Sequence, residues 1–375
     1  MDVVGNILLF VFGAVITIFV LDAAIRTFVV PRGNIVLLTV LVFQGVRRVL
    51  AIFARPRYGY ERRDRVFALY APMSLLALPA ISLVLVFVAY AFMYTAVQQD
   101  GWREAFIASG SSLFTLGFER PGHFPAILLT FTEAAIGLAI LALVIAYLPT
   151  IYNAFSRREV AVTDLSIRAG TPPTPGELLA RAHITGYLRD MDSFWDTWFA
   201  WFTEIQETHT SYGALPVFRS PNAHRSWVTA AGAVLDTAAI RQSTIDLPWT
   251  PNAPLCIRAG FIALREVAGF FGFDYQDDPN PDDPISISRD EYDEVCALLE
   301  SRGVPLKADR DQAWRDFAGW RVNYDGVLLA LAGFVNAPYA PWSSDRSPVR
   351  PVPRYGWGRR RREMNRRLHP GPTMR

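Results

Sequence analysis

A single carboxylate, Glu133, interrupts an otherwise uncharged run from Phe124 to Phe155. Placing an ionisable group at membrane depth is costly, so such a residue marks a function or a specific partner. Two uses fit it. It could face a water-filled cavity and attract cations, or it could pack behind a neighbouring element and accept hydrogen bonds from Ser109, Ser111 or Ser112. Those serines belong to "SGSSLFTLGFERPGHFPA", Ser109 to Ala126. There, a small-residue helix pattern runs into Thr115-Leu116-Gly117-Phe118 and then into Glu119 and Arg120. Polar, turn-forming backbone cannot face lipid unsatisfied, so it sits in water or inside a protein-lined cavity. In such a cavity, successive main-chain oxygens can replace the water shell of an ion. Gly137, four residues after Glu133, is a candidate hinge or a close-packing position in the same run.

Other chemistry finds little support. Glu204 and Glu207 share a helical face, but His209 points elsewhere, so metal-ligand spacing fails. His183, His209 and His224 are dispersed, with no serine elbow or cysteine partner. No glycine-rich nucleotide fingerprint follows a strand. Cys256 and Cys296 form no metal-type pair, and a structural disulfide is not expected in a cytosolic part. No enzyme activity, resident cofactor or nucleic-acid partner is therefore expected.

The elements that must position these residues are mostly apolar helices. The chain has 375 residues, 51% of them hydrophobic, with a net charge of +2. "VVGNILLFVFGAVITIFVL" (Val3 to Leu21) carries no charge and is long enough to cross a bilayer. It lacks the basic start and cleavage site of a secretory signal, so a retained anchor over 1–30 is expected. Asp22 and Arg26, four apart, read as a pair at the membrane edge. A second uncharged run covers 66–97, with Pro72 and Pro79 in its first half, and a third apolar run, its one charge Glu133, covers 124–155. Between the first two, 31–65 holds about 12 apolar residues and then an arginine-rich linker, shorter than a span requires. Counting arginines favours a surface-lying amphipathic helix there over a fourth crossing, with Arg26 through Arg65 and Arg157, Arg158 and Arg168 on the cytoplasmic side.

From Ser156 the composition becomes that of a soluble domain, expected over 156–340. Thr174, Pro175 and Glu177 spell a helix start. Leu188, Met191, Trp195, Trp198, Phe202 and Ile205 repeat at helical spacing, and the neighbouring Phe194, Phe199 and Trp201 exceed one core stripe. Further helices are expected over Trp227–Gln242, Ala253–Phe273, Arg289–Gly303 and, as one element, Asp309–Val335. No strand-type alternation competes. The tail 341–375, rich in proline, glycine and arginine, reads as disordered. It could bind anionic lipid or remain solvated.

Three pieces carry a resemblance. "LDAAIRTFVVPRGN", "SGSSLFTLGF" and "LALVIAYLPTIYNAFSRREVAVTDLSIRAGTPPTPGELL" together resemble the bacterial two-transmembrane-pore (ion channel 2-like) proteins of the potassium channel family, in an actinobacterial-type branch with a C-terminal helical domain. The resemblance implies an all-α membrane protein with a potassium-channel-like pore module over 66–155. Its parts are an outer helix (66–97), a pore helix and filter (102–122), and an inner helix (124–155). It implies a homotetramer in the bacterial cytoplasmic membrane, its C-terminal domain in the cytoplasm, surrounded by membrane lipids and conducting a monovalent cation, potassium or sodium. Thr115, Leu116, Gly117 and Phe118 then occupy the selectivity-filter positions, with Glu119 following. Glu119 and Arg120 replace the family's second glycine and acidic residue. That departure leaves open a weakly selective cation pore, a pore for another ion, or a non-conducting scaffold or sensor whose pore loop is vestigial.

Overall fold

A computed structural model describes residues 3–30, 36–54, 59–98 and 101–348. Among them the chain is helical and forms no strand; a lone antiparallel bridge joins Ile245 and Leu306. The chain divides into two compact units, 1–153 and 154–375.

The first unit is built from α1 (Val3–Phe28), α2 (Leu37–Phe53), α3 (Tyr60–Ala68), α4 (Tyr70–Gln98), α5 (Trp102–Leu113) and the first part of α6 (Phe124–Ala169). Three helical stretches, Val3–Phe28, Tyr60–Gln98 and Phe124–Ala169, are long and apolar enough to cross a membrane. Helices α1 and α4 pack antiparallel. Phe12 meets Phe92 at 5.6 Å between ring centroids, and further along Ala23 shares a small core with Leu78. The main core of the unit joins Val20 of α1, Val86, Tyr90 and Tyr94 of α4, Ala105, Ala108 and Leu113 of α5, and Ala126 and Ile140 of α6. The expected Asp22–Arg26 pair forms at 2.8 Å.

Three boundaries differ from the sequence expectation. The outer helix, expected from residue 66, breaks at Leu69; its longer part starts at Tyr70, with Pro72 in the first turn and Pro79 inside. Proline is tolerated in a first turn because that amide has no intrahelical partner. The inner helix does not stop at 155. It continues as one 46-residue helix to Ala169, because "SRREVAVTDLSIRA" keeps apolar residues on the buried face, Val162, Leu165 and Ala169, in line with the buried Phe155 before it. Among the described residues, the basic segment 31–65 holds α2 and the first part of a second helix, α3, which runs on to Ala68. Of these, α2 is 17 residues long and is not among the helices fit to span.

The second unit holds the end of α6 with α7 (Pro175–Ile184), α8 (Asp192–Ser211), α9 (Trp227–Ser243), α10 (Asn252–Phe270), α11 (Arg289–Ser301), α12 (Arg310–Arg321) and α13 (Asp325–Val335). Helix α9 is buried on nearly every face, so the others wrap it. That follows from its sequence: "WVTAAGAVLDTAAI" is apolar or small all round, as a central helix must be. Thr174 caps α7 by accepting from the Glu177 amide at 3.4 Å. The expected single helix over Asp309–Val335 breaks at 322–324. The break lets Arg321 and Tyr324 both reach Asp236 of α9. Arg321 donates to both oxygens of Asp236 (2.6 and 2.8 Å), to Asp325 (2.7 Å) and to the Trp342 carbonyl (2.7 Å). Burial disfavours the Arg321 cation, but the Asp236 and Asp325 carboxylates more than offset this and hold its pKa above the ordinary value. Trp342 also packs on Phe317 at 5.7 Å, and Arg346 pairs with Glu291. The tail therefore does not begin at 341: residues 341–348 are packed into the unit, and the rest of the expected disordered tail lies outside the described residues. Cys256 and Cys296 are both free and buried.

Candidate functional site

Helix α5 is 12 residues long, about 18 Å and so roughly half a bilayer's hydrocarbon core. Its small residues decide where it sits. Ala105, Ala108, Ser109, Ser111 and Ser112 are all buried, so α5 lies close against α4 and α6. Larger side chains at these positions would hold the helices apart.

Each of the three serines has a separate task. Ser109 donates to Glu133 Oε1 at 2.5 Å and also lies 2.9 Å from the Phe87 carbonyl. Glu133 is completely buried. Of the two uses open to it in the sequence, the geometry here is the packed one: its carboxyl lies behind α5. Its second oxygen, Oε2, has no hydrogen-bond partner among the described residues. Ser112 shares a 3.1 Å hydrogen bond with the Tyr94 hydroxyl, which also meets Thr130 at 3.1 Å. One turn earlier on α4, Tyr90 donates to Thr132 at 3.1 Å. Tyr94, Tyr90, Thr130 and Thr132 were not singled out from the sequence. The available signal was two tyrosines four apart in an apolar span, with hydroxyls waiting on the facing helix.

Ser111 organises the loop. Its carbonyl accepts from the Leu116 amide (2.8 Å) and the Gly117 amide (3.4 Å), and its hydroxyl accepts from the Glu119 amide (3.1 Å). The expected extended strand over Thr115–Phe118 is thus a turn that curls over the end of α5. Thr115 (φ +53°) and Gly117 (φ +71°) are left-handed. Glycine adopts that conformation freely, whereas at Thr115 it costs about 1–2 kcal/mol. Glu119, standing where the resembled family has a glycine, is not left-handed, so its side chain meets no backbone conflict there. With the amides turned inward, no carbonyl oxygen from Thr115 to Glu119 accepts a hydrogen bond among the described residues. The side chains of Leu116 and Phe118 are exposed, as are Glu119 and Arg120.

Gly137 lies inside the unbroken helix α6, one turn after Glu133. A Cβ on it would stand 2.6 Å from the Leu113 carbonyl oxygen and 3.0 Å from Leu113 Cδ1. Gly137 therefore lets the C-terminal end of α5 touch the α6 backbone. The structure brings Ser109, Ser111, Ser112, Glu133 and Gly137 together around that helix end, with the loop 115–119 hanging from it.

Elsewhere, the aromatic group of α8 is mostly core: Phe194, Trp195, Trp198, Trp201 and Phe202 are buried, and Phe199 is exposed. Glu204 pairs with Arg157 at 2.5 Å. His209 is buried, sharing its Nδ1 with the Thr208 hydroxyl at 3.1 Å and facing Arg158 through Nε2 at 3.4 Å. Burial first, and then the Arg158 charge, hold its pKa well below the usual histidine value. Among the described residues no cluster of histidine, cysteine, aspartate or glutamate is arranged to hold a metal ion.

Comparison of the chain with family models, with curated proteins and with solved structures finds no match.

Proposed function

We propose that this chain is the subunit of a homotetrameric, potassium-channel-like membrane protein that conducts monovalent cations. The observation that carries this reading is the loop after α5. The amides of Leu116, Gly117 and Glu119 are tied inward to Ser111, while the carbonyl oxygens of Thr115–Glu119 accept no hydrogen bond among the described residues. Oxygen dipoles without protein donors are what a dehydrating cation needs. Four copies of the α4–α5–α6 unit about one axis would bring these oxygens together. The exposed Leu116 and Phe118, and the exposed Phe124, Phe131 and Leu138 of α6, would then be covered by neighbouring subunits. Glu133 and Ser109 act behind the loop as positioning residues, holding α5 at a fixed depth. In this reading the membrane is the bacterial cytoplasmic membrane, with the second unit on the cytoplasmic side.

A second reading is favoured by one observation. The loop curls over the end of α5 through the Leu116–Ser111 bond, where an extended filter would run straight. On that reading the protein is a non-conducting, membrane-anchored helical scaffold or sensor. Oligomeric state in detergent or nanodiscs separates the two, followed by single-channel recording across potassium, sodium and chloride gradients. A tetramer with cation currents supports the channel. A monomer, or a tetramer without current, favours the scaffold. In a conducting tetramer, Glu119→Gly is expected to shift the reversal potential toward potassium selectivity.

A further inference from the structure

The last two turns of α2 are not explained by the packing of the first unit. The helix is anchored by its first half: Leu38 and Val42 share a small core with Ala23 and Leu78, Thr27 meets Thr39 at 3.1 Å, and Phe43 stacks edge-on to Tyr70 at 5.9 Å. Beyond that, Arg47, Arg48, Val49, Ile52 and Phe53 are all exposed. Helix α3 begins a few residues later and exposes Arg65. Among the described residues, Arg47, Arg48 and Arg65 join no carboxylate in an ion pair. By contrast, Arg26 on the adjoining α1 is paired with Asp22.

The position of this end relative to the bilayer follows from its anchors. Helices α1 and α4 belong to stretches long and apolar enough to span a membrane. The exposed Asp22–Arg26 pair must lie at the level where charge meets headgroups. Thr27, directly after it, holds Thr39, and Arg47 follows about two turns further along α2. The exposed end of α2 is therefore tied to the membrane edge and presents apolar and cationic side chains together. A headgroup layer suits both, because Val49, Ile52 and Phe53 can enter the acyl boundary while the arginines meet phosphate.

We infer that the exposed end of α2, with Arg65 of α3, is a docking site for anionic phospholipid of the surrounding leaflet. The apolar side chains hold the helix at the boundary, and the Arg47 and Arg48 guanidinium groups bind lipid phosphate, each able to engage two oxygens. The site does not depend on whether the protein conducts.

The test uses the full chain purified in detergent and equilibrated with an equal mixture of phosphatidylglycerol and phosphatidylcholine, with bound lipids counted by native mass spectrometry. The parent is expected to retain phosphatidylglycerol preferentially. Each basic residue near an anionic surface contributes about fivefold, so Arg47→Gln with Arg48→Gln is expected to lower the preference by about 25-fold at most. Arg47→Lys with Arg48→Lys is expected to keep most of it. Substituting the tail arginines, Arg359→Gln with Arg360→Gln, is expected to leave it unchanged. The proposal is overturned if the parent shows no preference, if the α2 glutamine pair retains it, or if only the tail substitutions remove it.

Discussion

Gly137→Ala tests whether the end of α5 truly rests on the α6 backbone. In an open helix interior this change is stabilising by about 1 kcal/mol, since alanine is the better helix former. Here the added methyl would stand 2.6 Å from the Leu113 carbonyl oxygen. An unforced carbon–oxygen contact is about 3.3 Å, so α5 or α6 must give by about 0.7 Å. The Leu113 methyl at 3.0 Å closes the sideways escape. Overpacking of this kind costs about 1–3 kcal/mol, and after the helix-propensity gain of about 1 kcal/mol the expected net change is a loss of about 0–2 kcal/mol. The displacement falls two residues from Ser111, which holds the amides of Leu116, Gly117 and Glu119. Thermal or denaturant unfolding of the purified protein in detergent reads the stability. Single-channel conductance, if the tetramer conducts, reads the loop. A variant more stable than the parent by the open-helix gain of about 1 kcal/mol, with the same conductance, would refute the close contact and with it the placement of α5.

Three further outcomes follow from the same geometry. Ser109→Ala removes the hydrogen bond to Glu133 Oε1, on a carboxyl that is completely buried and whose Oε2 has no partner among the described residues. A destabilisation of about 1–3 kcal/mol is expected, largely abolished when Glu133→Leu, which has no acceptor, is already present, as a double-mutant cycle would show. Arg321→Met leaves Asp236 buried without its cation and is expected to cost about 3–5 kcal/mol in denaturant unfolding; a neutral result would mean that the pair is dispensable. His209 has a folded-state pKa well below its unfolded value. Its stabilisation is thus complete above about pH 6.5 and lost as pH falls below it, with a slope approaching about 1.4 kcal/mol per pH unit. Unfolding measured between pH 7.5 and 5.5 should show this slope, and His209→Gln should flatten it.

Much of the architecture was legible in the sequence because bilayer and helix each impose a length and a period. The uncharged runs of Val3–Leu21 and 66–97, and 124–155 with Glu133 as its one charge, are long and apolar enough to be read as membrane-length helices. Thr174-Pro175-x-Glu177 fixed the start of α7 through local hydrogen bonding, which needs no tertiary partner. Ser288-x-x-Glu291, a reciprocal capping box at the start of α11, is equally local. Serines 109, 111 and 112 were recognisable as close-packing residues of a short helix, and Glu133 as a costly buried group.

What each of them touches was decided only in three dimensions. Three serines within four residues point to different sides of α5, so one meets Glu133, one holds the loop and one meets Tyr94. Periodicity assigns faces but not the neighbours that meet them. The break at 322–324 likewise has no local cause, since it exists to bring Arg321 and Tyr324 to Asp236, more than 80 residues away in sequence. The same holds for residues 341–348, polar and proline-rich, which are ordered because the Trp342 carbonyl completes the Arg321 guanidinium. Sequence determined where this chain can cross a membrane and where its helices begin, because those follow from solvent and nearest neighbours. The loop conformation, the depth of Glu133 and the limits of the second unit came from the fold, because each rests on a partner that only packing supplies.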